Sequence, residues 1–145
     1  YRGIWGKVMG ATPDTSVDID DASFPDTTAI TIIAFRGVDT TTPQDVAMVH
    51  SASTETCPAI TTATNNALVL RYRQTFNNYS YGISEWPIGY AGFNWSTGGQ
   101  FGTSSSGFGL CYTQQDTAGS TGTLAIRNSD VSGGESSGTM ALRPA

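Results

Sequence analysis

Charge is scarce in this chain, and so are the residues that build helices. Charged side chains make up 13% of the 145 residues, with seven Lys and Arg against twelve Asp and Glu, giving a net charge of −5 and a pI near 4.5. Seven scattered basic residues cannot form the cationic stripe that a phosphate backbone requires, so nucleic acid is excluded as a partner. The acidity is that of a soluble surface. No segment concentrates Leu, Glu, Lys and Ala as a helix would. No apolar run approaches the roughly 20 residues of a bilayer span, and no signal-peptide pattern is present, so membrane insertion is not expected. The chain starts at Tyr1 and not at a methionine, and is expected to be processed or to be a fragment of a longer protein.

Catalytic and metal-binding residues are equally sparse. His50 is the only histidine. It neighbours Ser51 and lies near Asp45, but no serine sits in a glycine-rich nucleophile turn, so no triad is expected. Glu55, Glu85 and Glu135 with nine aspartates could supply a glycosidase carboxylate pair, yet nothing in their spacing selects one. One histidine and two distant cysteines make no transition-metal cluster. Asp14, Asp18, Asp20 and Asp21 fall within eight residues and invite a calcium reading. Their partial alternation with Val17 and Ile19 fits the solvated face of a strand better, so no metal and no cofactor are expected. Cys57 and Cys111 allow one disulfide or two small buried thiols, and the sequence leaves both open.

What the chain has in quantity is Ser and Thr, about a quarter of the residues, together with 17 glycines. β-branched and aromatic residues punctuated by Gly, Ser, Asn and Asp are the composition of short strands joined by tight turns. Strands are expected at 3–10, 16–20, 29–36, 46–50, 67–74, 108–114, 122–127 and 138–143. The segment 29–36 is apolar on both faces and reads as a central strand. Val46–His50 reads as a short edge strand. In 67–74, Leu68, Leu70 and Tyr72 alternate with Val69, Arg71 and Arg73, which reads as a single inward face. Phe108, Leu110 and Tyr112 share a face, as do Leu124 and Ile126, and Met140 and Leu142. The stretch 75–107 reads as one or two long loops with short strands between. About eight strands and no helix predict a single all-β domain over 1–145, an antiparallel β-sandwich of jelly-roll type, with a closed barrel as the competing architecture. At this length a domain buries roughly 70% of its unfolded surface and needs no staple.

Residues 76–112 hold ten of the fifteen aromatics, interspersed with Asn, Ser, Gly, Thr and Gln. Rigid amphipathic rings among small hydrogen-bonding side chains suit a polar recognition surface, and sugar rings stack on such aromatics. The candidate glycan-binding residues are Tyr79, Tyr81, Trp86, Tyr90 and Trp95. The competing reading places these rings in the core beneath a long loop or in an oligomer interface. Asn78-Tyr79-Ser80 and Asn94-Trp95-Ser96 match the N-glycosylation pattern, a match that arises by chance in so Ser/Thr-rich a chain.

Three segments are distinctive: Phe35-Arg36-Gly37-Val38-Asp39-Thr40-Thr41-Thr42-Pro43, then 60–70 (Ile60 through Leu70), then Met140-Ala141-Leu142-Arg143-Pro144-Ala145. In this order they resemble a β-sandwich module of bacteriophage structural and tail-associated virion proteins, with 75–107 departing from it. The resemblance covers 35–145 and concerns strands and turns, so it carries over no catalytic residue. It implies a non-enzymatic protein of the virion surface, a homo-oligomer in contact with other virion subunits. Two roles follow as expectations: a tail-fibre or receptor-binding module contacting host-surface glycan, or a capsid decoration (cement) protein. A small glycosidase or depolymerase is the enzymatic competitor.

Overall fold

The computed structural model describes residues 6–10, 12, 14–16, 32–52, 56–76, 91–96, 106–125 and 135–145. These residues are all-β, with seven strands and no helix: β1 (Gln44–Ala52), β2 (Thr56–Cys57), β3 (Ala67–Phe76), β4 (Ala91–Ser96), β5 (Ser106–Gln115), β6 (Leu124–Ala125) and β7 (Glu135–Leu142). They form two antiparallel sheets. The larger has the order β1-β7-β3-β5-β4, and the smaller is the β2-β6 ribbon. Among the described residues the larger sheet is open, with β1 and β4 at its edges.

β3 lies at the centre because its sequence is apolar in both phases around the two arginines. It pairs over its full length with β5, from Ala67↔Gln115 to Phe76↔Ser106, and on its other side with β7, from Leu68↔Leu142 to Thr75↔Glu135. Directly opposed residues share a face. One face therefore carries Leu70, Tyr72 and Leu110, joined by half-buried Leu68, Tyr112, Met140 and Leu142. The other carries Val69 and Ala141, packed with Ile60, Ala67 and Val46. Each fully buried side chain of Val or Leu size contributes about 1.5–3 kcal/mol, so these two clusters fix the register of the sheet.

The second face corrects the expectation of a single inward side for 67–74. Arg71 and Arg73 are 0% and 2% exposed, more deeply covered than Tyr72 at 7%. The β2-β6 ribbon lies over them. Their cross-strand neighbours are small, Cys111 and Thr139 beside Arg71, Gly109 and Ser137 beside Arg73, which leaves room for the long stems.

The expected central strand at 29–36 is also corrected. Its described part, 32–36, belongs to no strand. Ile33 and Phe35 instead pack on the Leu70–Tyr72–Leu110 cluster, while Ile32 is 68% exposed. A run apolar on both faces suggests a strand covered on both sides, but only Ile33 and Phe35 are covered, and no partner strand pairs with 32–36 among the described residues. Residues 6–10, from the expected strand 3–10, are exposed and carry no strand. The expected strand 122–127 shrinks to Leu124–Ala125 within the described residues. The strand expected at 16–20 lies outside them apart from Ser16. Val46–His50 does sit at the sheet edge, within the longer β1, paired to β7 with register shifts between Gln44 and Val46 and between Val46 and Val49. Within 75–107, β4 is a six-residue strand on the other edge.

Candidate functional site

At one end of the large sheet the three distinctive sequence segments meet. Asp39 opens the turn between Gly37 and Pro43 by accepting the amides of Thr41 (2.7 Å) and Thr42 (3.0 Å) on Oδ1. These bonds, with Arg143 nearby, hold its carboxyl below the usual carboxylate range. The same turn binds the C-terminal segment. The Asp39 amide donates to the Arg143 carbonyl, the Arg143 amide to Pro43, and the Ala145 amide to Gly37, while Val38 bridges Pro144.

Asp45 ties this knot to the 60–70 segment. Its side chain is fully buried. It accepts the Ala63 amide at 2.6 Å, the Thr64 amide at 3.3 Å and the Thr64 hydroxyl at 2.7 Å, and Arg143 Nε stands 3.5 Å away. Burial alone would raise its pKa. The bonds from Thr64 and Ala63, with the Arg143 charge, outweigh burial and leave it lowered. Asn65 and Asn66 extend the network: Asn65 Oδ1 accepts the Ala118 amide at 2.8 Å, and Asn66 Oδ1 accepts Gln114 Nε2 at 3.1 Å. Asp45 is thus committed to structure, and His50, exposed on β1 opposite Gly138, has no share in its bonds.

Beneath the ribbon lies a cluster of arginine, thiol and hydroxyl groups. Arg71 Nη2 donates to the carbonyls of Thr121 and Gly122, both at 2.9 Å. Thr139 Oγ1 donates to Pro58 O at 2.6 Å and Ser137 Oγ to Thr56 O at 2.9 Å. Cys57 Sγ donates to Tyr72 O at 3.4 Å. Cys57 and Cys111 are free and fully buried thiols. Burial pushes Cys57 up to about 11 against the pull of Arg71, and burial, with Cys57 adding, pushes Cys111 up to about 12. Both are poor nucleophiles as they stand.

At the opposite end of the sheet the chain leaves at Phe76 and Ser96 and returns at Ser106, whereas 77–90 rejoins the sheet at Ala91, facing Tyr112. Phe76 and Ser106 are register partners, Ser96 faces Gly107, and Thr75 faces Glu135. Of the five candidate glycan-binding residues, Tyr79, Tyr81, Trp86 and Tyr90 lie outside the described residues. Trp95 is on β4, in register with Phe108. Asp14 forms an ion pair with Lys7 at 2.7 Å; Asp18, Asp20 and Asp21 lie outside the described residues. Among the described residues no three His, Cys, Asp or Glu side chains gather as a metal site. No described helix is long and apolar enough to cross a membrane.

Sequence reading missed the buried role of Arg71, Arg73 and Asp45. A signal existed for the arginines in the small residues Gly109, Cys111, Ser137 and Thr139 of the flanking segments. Asp45 offered none, because its partners are the amides of Ala63 and Thr64 and the Thr64 hydroxyl, 18 and 19 positions away, and the still more distant Arg143. No family model, curated protein or solved structure matches the chain.

Proposed function

We propose that this chain is a non-enzymatic surface protein of a bacteriophage virion, a tail-fibre or receptor-binding module that contacts host-surface glycan through Tyr79, Tyr81, Trp86, Tyr90 and Trp95. In this reading the two antiparallel layers are those of a jelly-roll-like β-sandwich of about eight strands. The module works as a homo-oligomer among other virion subunits, where symmetry multiplies weak sugar contacts into useful avidity.

The observation that carries the reading is the division of the sheet into two unlike ends. One is locked by the Asp39–Arg143 and Asp45–Thr64 contacts, which join the three segments of the phage-module resemblance. At the other, the chain departs at Phe76 and Ser96 and returns at Ser106, while the stretch 77–90 begins there and rejoins the sheet at Ala91, opposite Tyr112. A rigid scaffold carrying long connecting segments is the common arrangement of binding proteins.

The test is a glycan array probed with the full chain and with the double variant Trp86→Ala, Trp95→Ala. Binding that disappears in a variant with unchanged circular dichroism supports the glycan reading. A folded, assembled protein that binds no glycan transfers the assignment to capsid decoration. Release of free sugar from bound glycan would point instead to a depolymerase.

A further inference from the structure

The β2-β6 ribbon is fixed to the large sheet in two different ways along its length. At its inner end Ile60 packs with Ala67, Val69, Ala141 and Val46. There the two sides of the ribbon are joined by the Thr121 amide on Ile60 O and the Thr62 amide on Gly119 O, both at 2.9 Å, and by the Gly119 amide on Thr62 Oγ1 at 3.0 Å. At its outer end the ladder has two rungs, Thr56↔Ala125 and Cys57↔Leu124. The outer end meets the sheet mainly through polar contacts, Thr139 on Pro58 O, Ser137 on Thr56 O, Arg71 on Gly122 O and Cys57 Sγ on Tyr72 O, with the Cys57 thiol buried beneath it. Arg71 also donates to Thr121 O at the junction of the two halves.

We propose that the outer half of the ribbon, Thr56–Pro58 with 122–125, opens from the sheet as a strap, hinged at 60–62 and 119–121, while the five-stranded sheet stays intact. The asymmetry of the contacts drives this. Detaching the inner end would return a contiguous apolar cluster to water, at a cost proportional to the area exposed. Detaching the outer end exposes the single small side chain of Cys57 and otherwise exchanges hydrogen bonds to carbonyls for bonds to water, a nearly balanced trade. It also restores hydration to the Arg71 guanidinium, whose burial is costly even when well bonded. Gly122, with φ near +64°, marks the junction between the two halves and tolerates the change of direction. Sub-global openings of this kind occur where buried apolar contacts are few.

Cys57 reports the motion, since it is fully buried under the closed strap. The experiment is N-ethylmaleimide labelling of the native full chain, read by mass spectrometry across low urea, with amide exchange measured in parallel. Opening of the strap gives Cys57 labelling without denaturant, at a rate nearly independent of low urea, while the amides of Thr62, Thr121 and β3 stay protected. Thr139→Val, which removes the donor to Pro58, accelerates the labelling roughly five- to tenfold. Leu110→Ala, on the opposite face of the sheet, lowers the urea midpoint and leaves the labelling rate unchanged. Labelling that rises with urea as steeply as global unfolding overturns the proposal. So does labelling that speeds up in Leu110→Ala in step with the lost stability.

Discussion

The ring of Tyr72 lies against Gly138, the residue directly opposite it on β7. A Cβ built on Gly138 would stand 2.7 Å from Cζ and 2.8 Å from Oη of that ring, and against Cε1 as well. The glycine is what lets an aromatic side chain 7% exposed close over β7, toward the apolar cluster shared with Leu70 and Leu110. Gly138→Ala is expected to destabilise the protein by about 1–3 kcal/mol in urea unfolding, the range for overpacking a fitted core. In a Tyr72→Leu background the same substitution should cost far less, because the ring is gone. Equal costs in both backgrounds would show that the ring and the glycine are not coupled.

Arg71 places a cation under the ribbon and donates through Nη2 to two carbonyls, of Thr121 and Gly122. Arg71→Ala is expected to cost at least about 2 kcal/mol, since it opens a cavity beneath the ribbon and removes the donor that ties the carbonyls of Thr121 and Gly122 to the sheet. An exposed strand arginine would cost within about 0.5 kcal/mol. The urea midpoint therefore distinguishes the buried position from the outward one that alternation suggests.

The Asp45 carboxylate makes stability depend on acid. Its folded-state pKa is lowered from the ordinary 3.8, and that of Asp39 is lowered too. A depressed carboxylate contributes stability that is complete above its unfolded pKa and is lost as pH falls through the folded one. Stability should therefore hold down to about pH 5 and decline below about pH 4. Asp45→Asn should lower stability at neutral pH by about 1.5–3 kcal/mol, the range for hydrogen bonds to a charged group. It should also flatten the acid slope, with Asp39 contributing to what remains. A thermal melt series from pH 7 to pH 2 on both proteins measures this, and an unchanged slope in the variant would remove Asp45 from the account.

The central strands were legible because their faces alternate. Leu68, Leu70 and Tyr72 mark β3, Leu110 and Tyr112 mark β5, and Met140 and Leu142 mark β7; all seven join one cluster. What alternation could not convey was the second layer. The contacts that bury Arg71 come from carbonyls 50 and 51 residues away, and main-chain carbonyls have no sequence signature. The segment 32–36 misled for the opposite reason, having the apolar, β-branched composition of a buried strand without a strand's partners among the described residues. In β4, Phe93 and Trp95 do alternate with Gly92, Asn94 and Ser96, but turn-forming residues on every side hide the pattern. The candidate glycan residues rested on composition, which gives a class of surface and not an arrangement.

Asn66 holds the turn into β3 in the left-handed region, with φ near 60°. Few residues sit there without strain; glycine does so freely, and asparagine is better tolerated than most. Here the asparagine also works through its side chain, accepting Gln114 Nε2, while its amide donates to Asp116 O. Asn66→Ala imposes the steric cost of a Cβ in that conformation without asparagine's local compensation, and it removes the bond to Gln114. It should destabilise by about 1–2 kcal/mol. Asn66→Gly loses the same bond but is freed of the steric cost, so it should fall clearly short of the alanine loss. The side-chain bond is exposed and contributes little, which makes the backbone angle the deciding factor. If urea unfolding finds glycine as damaging as alanine, the side-chain bond and not the backbone angle governs this turn.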